Sequence, residues 1–203
     1  MSLELATSSF LEGYRIVSAA GPDRSPRPIV TKLLELEELS TPFAFEGAAM
    51  AWTVLDHREG HRSLASLVES AGEAWTPFVD LGHGCGLARI GSTPSGGDLV
   101  LDGYGFQLGL AAGISGMGRE SPTPRSERGR GRALWFITGG EAGACAAAFG
   151  RASHPSELWR GLGTACAFAG DPLDNASRLP ELAGVYGGDL RAGIQDAADL
   201  WSS

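Results

Sequence analysis

The amino-acid sequence predicts an all-α protein, on two observations. Strand signals are weak, because β-branched residues are sparse and few stretches alternate apolar with polar residues. Helix starts are frequent, because Thr41-Pro42 and Thr76-Pro77 each place a proline after a threonine whose hydroxyl can cap a helix, and Pro155 marks a third start. We therefore expect a compact bundle of roughly ten helices.

The length of the chain predicts a single domain covering residues 1–203, and the apolar pattern predicts where its helices lie. They are expected at residues 5–19, 29–39, 42–57, 63–72, 77–89, 103–112, 132–138, 141–151, 155–169, 176–183 and 189–200. The segment 115–131 is rich in Ser, Pro, Arg and Gly and is predicted to be a mobile loop. A basic cluster in and just after this segment, Arg125, Arg128, Arg130 and Arg132, is expected to face water or to clamp an anionic ligand or an acidic patch on a partner.

The abundance of glycine, at 30 residues, has a specific interpretation. The helix that follows Pro42 is apolar on nearly every side, which predicts that it is buried. A glycine inside a helix costs about 1 kcal/mol relative to alanine. We therefore interpret Gly47, Gly82 and Gly161, each with a small residue four positions later, as sites where two helix backbones pack closely. The related stretches TPFAFEGAAMA and TPFVDLGHGCG predict a degenerate helical repeat of about 35 residues.

Charge and cysteine content limit the possible partners and compartment. The net charge of −8 argues against binding to nucleic acid or to an anionic membrane surface. We see no signal-peptide pattern at the N-terminus and no apolar run long enough to span a membrane. The three cysteines lack CxxC spacing and are expected to be free buried thiols in a reducing compartment. These observations predict a cytoplasmic protein.

Two carboxylates are the candidate catalytic groups. Glu46 lies in the otherwise apolar helix after Pro42, where it is either stabilised near the helix start or faces a pocket with a raised pKa. Asp102 either caps a helix that begins at Gly103 or, like Glu46, serves as a proton donor or acceptor.

Five further residues are candidate ligand contacts. Glycines on both sides of Tyr104 suggest a tight bend that brings the backbone close to another helix or to a ligand, so Tyr104, Phe106 and Gln107 would line that contact. Trp159 and Arg160 precede a glycine-rich helical stretch and are predicted to contact the ligand, with core packing as the alternative.

No metal or cofactor is expected. His57 and His61 have the spacing of a two-histidine metal site, but a glycine lies between them and the third ligand of the zinc peptidases is missing. Asp80 and His83 could exchange protons or only share a hydrogen bond. There is no dinucleotide-binding or phosphate-binding glycine motif in a strand-turn-helix context, and no nucleophile elbow.

Four blocks of the sequence carry a family resemblance: FEGAAMA, DGYGF, GRALWF and LWRGLGTACAFAG. In this order they resemble blocks of the bacterial domain of unknown function 1702 family, which is found in enediyne polyketide biosynthetic clusters. The family pattern continues DGYGF with a histidine and then Glu-Gly-Tyr, whereas this chain has Gln107, Leu108, Gly109 and Leu110. It is also shorter than the family pattern, so we interpret it as a short, diverged member.

The resemblance implies a role in specialised-metabolite biosynthesis but supplies no mechanism. The leading hypothesis is an accessory protein that binds a long apolar intermediate in a helical pocket. The first alternative is a cyclase or isomerase that acts on this intermediate by carboxylate acid-base chemistry. The second is a non-catalytic partner that docks on a synthase through its arginine-rich segment.

Overall fold

A computed structural model describes residues 2–22, 24–116, 123–149, 152–170 and 176–202 of the chain. Within these ranges every regular element is helical, which confirms the predicted all-α class. The described part of the chain forms eleven α-helices: α1 Leu3–Ala20, α2 Pro26–Leu34, α3 Thr41–Glu59, α4 Leu64–Ala71, α5 Thr76–Arg89, α6 Asp98–Gly116, α7 Pro124–Ile137, α8 Ala142–Ala148, α9 Pro155–Ala169, α10 Leu179–Ala183 and α11 Gly187–Ser202. Short 3-10 turns lie at Glu73–Trp75, Ala176–Arg178 and Gly184–Tyr186.

The helices are divided between two compact units. The first unit, Glu4–Tyr104, contains α2 to α5, most of α1 and the beginning of α6. The second unit, Gly105–Ser203 with the first residues of the chain, contains the rest of α6 and α7 to α11. That the chain is one folding domain stays a prediction.

The proline-marked helix starts are present, but the threonines act differently from the prediction. Helices α3 and α5 begin at Thr41 and Thr76, and neither has a side-chain cap. Their hydroxyls instead donate backwards, to the carbonyls of Glu37 at 3.1 Å and Gly72 at 3.3 Å. Only at α7 does a threonine of this kind cap the helix, because Thr123 accepts a hydrogen bond from a backbone N–H of the first turn. The preceding turn therefore competes successfully for the hydroxyl at the other two starts.

In the first unit, glycines allow helices to touch backbone to backbone. A Cβ atom on Gly47 would overlap the carbonyl oxygen of Phe10 on α1, and one on Gly82 would overlap the carbonyl oxygen of Glu46 on α3. A Cβ on Gly103 would overlap the carbonyl of Leu81 on α5. The close approach predicted from Gly47 and Gly82 is thus confirmed, while the 35-residue repeat stays a prediction.

The second unit uses the same kind of contact. Gly131 on α7 and Gly161 on α9 face each other's helix, against the carbonyls of Leu158 and Arg128. Gly193 on α11 lies against the carbonyl of Arg160. The prediction for Gly161 is therefore also confirmed, and α7, α9 and α11 form a continuous series of backbone contacts.

The predicted loop over 115–131 requires a correction. Its central residues 117–122 lie outside the described part of the chain, but residues 124–131 form the first half of α7. The expectation that the arginines face water is also wrong for Arg130 and Arg132, which are buried with exposures of 3% and 6%. Thr123 and Pro124 start this helix, and tertiary packing overrides the polar composition that suggested a loop.

We predict that Gly161→Ala lowers the free energy of unfolding by about 1–3 kcal/mol, because the new methyl group overlaps the carbonyl of Arg128 and separates α9 from α7. The matched control is Gly188→Ala, since Gly188 lies in the first turn of α11 with nothing within 4 Å of its added Cβ. This control should be neutral or stabilising, by up to about 1 kcal/mol. Urea unfolding followed by circular dichroism measures both changes. Equal effects of the two substitutions would contradict the backbone contact.

Candidate functional site

Helix α3 carries a buried carboxylate. Every residue from Thr41 to Val54 is buried, as the apolar pattern predicted, because a helix with no polar face is poorly solvated at a surface. Glu46 lies among them with 3% of its surface exposed. It is the sixth residue of α3, in the second turn. The attraction of the helix N-terminus for negative charge falls off after the first turn, so position on the helix alone does not account for this charge.

The thiol of Cys85 on α5 lies beside Glu46. Its Sγ atom is 4.0 Å from Oε1 of Glu46 and 3.2 Å from the carbonyl oxygen of Gly103 on α6. A thiol has a single proton, so the shorter contact identifies Gly103 as its hydrogen-bond acceptor. Cys85 therefore joins α3, α5 and α6 in the interior of the first unit.

Asp102 is the second buried carboxylate of this unit, with 5% exposure. It precedes Gly103, the residue that accepts from Cys85. The interpretation of Asp102 as a helix cap is wrong, because α6 begins four residues earlier, at Asp98. The structure thus brings Glu46 and the immediate neighbour of Asp102 to the same thiol.

The bend expected around Tyr104 is absent, since Gly103, Tyr104 and Gly105 are all helical. The glycines serve helix packing instead, because Gly103 lies against the carbonyl of Leu81 and Gly105 against that of Ser126. Tyr104 is half-buried in the first unit. Of the two alternatives considered, close approach to another helix is the one that these contacts support.

Phe106 and Gln107 belong to the second unit. Phe106 packs edge-on against Phe136, with ring centroids 5.6 Å apart, and the guanidinium carbon of Arg132 lies 4.9 Å from its ring centroid. A cation over an aromatic face is stabilising, particularly where water is excluded. Gln107 is half-buried. Phe106 is thus fixed by packing.

Trp159 and Arg160 also have partners inside the second unit. Trp159 stacks on Phe149, with ring centroids 3.9 Å apart. Arg160 donates two hydrogen bonds to Asp196, at 2.6 and 2.7 Å, and this interaction raises the pKa of Arg160. Both side chains therefore stabilise the contact of α9 with its neighbours, and their predicted role in ligand binding stays a prediction.

The seven predicted site residues are divided between the two units. Glu46, Asp102 and Tyr104 lie in the first unit. Phe106, Gln107, Trp159 and Arg160 lie in the second. Within the first unit, the two carboxylates lie on α3 and α6 with Cys85 between these helices, and their joint role in chemistry stays a prediction.

A second group in the first unit has acid-base character. Nδ1 of His83 is 2.9 Å from the hydroxyl of Thr53, which itself donates to the carbonyl of Ala49 at 2.9 Å. Since the hydroxyl proton is used, Nδ1 of His83 must donate and Nε2 is left as the basic nitrogen. Burial lowers the pKa of His83, and nearby Asp80 and Asp56 oppose that shift. Burial in turn raises the pKa of Asp80.

The histidine pair considered for a metal has a different environment. Nδ1 of His61 lies 3.6 Å from a carboxylate oxygen of Glu59, and both histidines are exposed. Gly60 between them ends α3 in the left-handed conformation. Across the described ranges, no group of three or more His, Cys, Asp or Glu side chains is arranged to hold a metal ion.

Sequence reasoning missed a buried ion-pair network in the first unit. The guanidinium of Arg24 donates to Asp56 and, at 2.6 Å, to Glu59, and it lies 5.1 Å from the ring centroid of Trp52. Asp56 also accepts from the backbone N–H of Ser63 at 2.6 Å. Arg24 follows a glycine- and proline-rich stretch that predicted only a loop, and its partners are more than thirty positions away. The network anchors this loop to the end of α3.

A second missed cluster lies on α7. Glu127 and Arg130, one turn apart, are exposed by only 2% and 3%. Burial raises the pKa of Glu127, while Arg130 and His154 act to lower it. Both residues fall in the segment that was predicted to be a loop, so no periodic signal identified them. The Thr123-Pro124 pair that starts this helix is the one local helix signal in the segment.

Comparison with known proteins gives a family for this chain. The model of a family described as a protein of unknown function, DUF1702, matches residues 1–201. The chain belongs to the DUF1702 family. This confirms the resemblance inferred from the four sequence blocks. No curated protein and no solved structure matches significantly.

Among the residues that the structure describes, no helix combines the length and the apolar character that crossing a membrane requires.

We predict that the cysteines of the native DUF1702 protein resist alkylation at neutral pH. All three are buried, and burial raises the pKa of Cys145 to about 11, so almost no thiolate is present there. Titration with a thiol reagent should detect no reactive group before unfolding and three in guanidinium chloride. Rapid modification of Cys85 in the native protein would contradict its position between Glu46 and Gly103.

We predict that the ring protons of His83 titrate below the usual histidine pKa of 6.5. Asp80→Asn should lower this pKa further, because the negative charge that favours the imidazolium is removed. Asp199→Asn, an exposed change in α11, is the control and should have no effect. NMR titration measures the pKa. Since the folded state disfavours protonated His83, the free energy of unfolding should also fall as the pH drops below 6.5.

Proposed function

We propose that this DUF1702 protein is an accessory protein of specialised-metabolite biosynthesis, of the enediyne polyketide type, that binds a long apolar intermediate such as a polyene. Support for the metabolic context comes from the resemblance of the sequence blocks to proteins of such clusters. Support for the binding role comes from the apolar interior of the first unit and from the few polar groups that it encloses.

The observation that carries the proposal is the burial of Glu46 at 3% exposure on a helix with no exposed residue from 41 to 54. Transferring a carboxylate from water to a protein interior costs several kcal/mol, even where partners offset part of the cost. A leucine of similar size would fill the same position at lower cost. A polar group kept there serves to orient a polar part of a mostly apolar ligand, which is how such sites obtain specificity.

An enzymatic role is the first alternative. A cyclase or isomerase needs a proton donor and a proton acceptor close to an apolar substrate. Glu46 and Asp102 are both buried, and one thiol contacts both Glu46 and the neighbour of Asp102. If the protein is an enzyme, these groups of the first unit are therefore its candidate acid and base.

Docking on a synthase through the arginine-rich segment receives less support. Arg130 and Arg132 are buried, and the side chain of Arg128 is only 13% exposed and donates to Glu157. The side chain of Arg125, at 35% exposure, is the most accessible of the four. Charge reversal at Arg125 would therefore be the informative change in a co-purification experiment.

The test of the proposal uses the neutral fluorescent polyene 1,6-diphenylhexatriene. We predict saturable fluorescence enhancement and a raised melting temperature with this probe, and a bound small molecule in native mass spectra of protein from a producing host. Glu46→Leu should still bind the probe, which has no polar group, but should lose the molecule acquired in the host. Glu73→Leu, an exposed position of the same unit, should retain both.

The outcomes separate the hypotheses. Absence of probe binding together with absence of a host-derived molecule would overturn the binding proposal. If Glu46→Gln accumulates a chromatographically distinct precursor while the wild type carries its product, the cyclase or isomerase alternative replaces it.

A further inference from the structure

Arg130 is a buried cation with unused hydrogen-bonding groups. It lies on α7 in the second unit and is 3% exposed. Its Nε and Nη1 atoms are both inaccessible to solvent and have no hydrogen-bond partner. A guanidinium carries one N–H on Nε and two on Nη1. Three donors of a charged group are thus removed from water without compensation.

Two other arginines in this unit have acidic partners on neighbouring helices, although Nη2 of Arg128 is also buried without a hydrogen-bond partner. Arg128 donates to Glu157 at 2.7 Å, and Arg160 donates twice to Asp196. Each of these acidic residues lies on α9 or α11, across a glycine contact. Within the part of the chain that the structure describes, no acidic side chain accepts a hydrogen bond from Nε or Nη1 of Arg130. A buried donor without an acceptor destabilises the folded state, and more so when the donor is charged.

Glu127 lies one turn before Arg130 and is equally buried, but it does not satisfy the guanidinium. Its Oε2 atom also lacks a hydrogen-bond partner. Two groups of opposite charge, one turn apart on a helix, would ordinarily pair. Burial raises the pKa of Glu127, which favours the protonated form, and in that form it is a donor like Arg130. Both groups then need an acceptor.

The stem of Arg130 is held in place by its neighbours. A Cβ atom on Gly109 would lie 3.3 Å from the Cα of Arg130 and 3.5 Å from its Cγ, so α6 packs directly over the stem. The following residue, Gly131, lies against the carbonyl of Leu158 on α9. The guanidinium therefore starts from a fixed backbone position between two helices, which reduces the entropy lost when a ligand binds.

We propose that Arg130 and Glu127 form a binding site for a carboxylate group. A planar guanidinium matches a carboxylate in shape and charge, and a protonated Glu127 can donate to an oxygen of the same group. A monoanion is favoured over a phosphate, because a dianion beside one arginine and one glutamate would leave buried negative charge. The carboxylate is supplied either by an apolar acid or by a small free acid.

This site does not depend on the role of Glu46. It would make an apolar acid, rather than a hydrocarbon, a ligand of the protein. Because Arg130 is almost sealed from solvent, the surrounding side chains must move before a carboxylate enters. Association should therefore be slower than the 10⁵–10⁷ M⁻¹s⁻¹ or so that is typical of preformed surfaces.

The experiment compares cis-parinaric acid with its methyl ester, since both are fluorescent polyenes and only the acid carries a carboxylate. We expect the wild-type protein to bind the acid about tenfold more tightly than the ester, as a charge-assisted contact would provide. Arg130→Met keeps the volume of the stem and should remove this preference while leaving ester binding unchanged. Arg125→Met, on the same helix but more exposed, should keep the preference.

Circular dichroism shows whether Arg130→Met folds. If it does not fold, a second variant still tests the site. Glu127→Gln retains Arg130 and replaces the protonated carboxyl group by an amide that also donates, so it should keep the preference for the acid over the ester. Butanoate, compared with chloride at equal ionic strength, tests the small free acid. A rise in melting temperature that is lost in Arg130→Met supports the site even if no polyene binds and the proposed function fails.

Three results would overturn the inference. The first is equal affinity of the wild-type protein for the acid and the ester, with no stabilisation by butanoate. The second is a preference for the acid that persists in folded Arg130→Met. The third is loss of the preference for the acid in folded Glu127→Gln, which would show that Glu127 does not act as a hydrogen-bond donor to the ligand.

Discussion

Direct contact between helix backbones is the constraint on which both units depend. Glycines on α1, α3, α5 and α6 leave room for carbonyl oxygens in the first unit, and glycines on α6, α7, α9 and α11 do so in the second. Where no side chain separates two helices, their axes approach closely and the residues that face the crossing are enclosed. The complete burial of α3 from Thr41 to Val54 follows from this proximity as much as from the composition of the helix.

The same contacts position the polar groups. Glu46, Asp102, Arg130 and Arg160 each directly precede a glycine at a helix crossing: Gly47, Gly103, Gly131 and Gly161. Successive residues on a helix point about 100° apart, so each polar side chain leaves the helix beside the crossing rather than into it. The backbone that carries these side chains cannot move without breaking the contact between the two helices. This preorganisation is what a binding or catalytic group requires.

The sequence predicted the fold class, the eleven helices approximately, the burial of α3 and the close contacts at Gly47, Gly82 and Gly161, because these depend on local pattern. The sequence-based prediction failed where the conformation of a residue depends on a partner far away in the sequence. In the sequence, the arginines of α7 are typical of a solvated loop. In the structure, Arg128 pairs with Glu157 on α9 and Asp196 on α11, and these partners are far away in the sequence. The hydroxyls of Thr41 and Thr76 likewise bond to the preceding turns rather than to their own helices. In the candidate site, Glu46 and Asp102 could be identified because each is a charged residue in an apolar stretch of the sequence. Arg130 could not, because its neighbours in the sequence are also charged.

Contacts made by carbonyl oxygens have a consequence for how this family can diverge. When two side chains collide after a mutation, a second substitution in the partner can restore the fit. A carbonyl oxygen is present at every residue, so no substitution in the partner helix can make room for a methyl group at Gly131 or Gly193. We therefore expect related sequences to vary mainly on the helix faces between the crossings. A crossing glycine can be replaced only if a whole helix shifts. Two members could share few residues and still superimpose at these points.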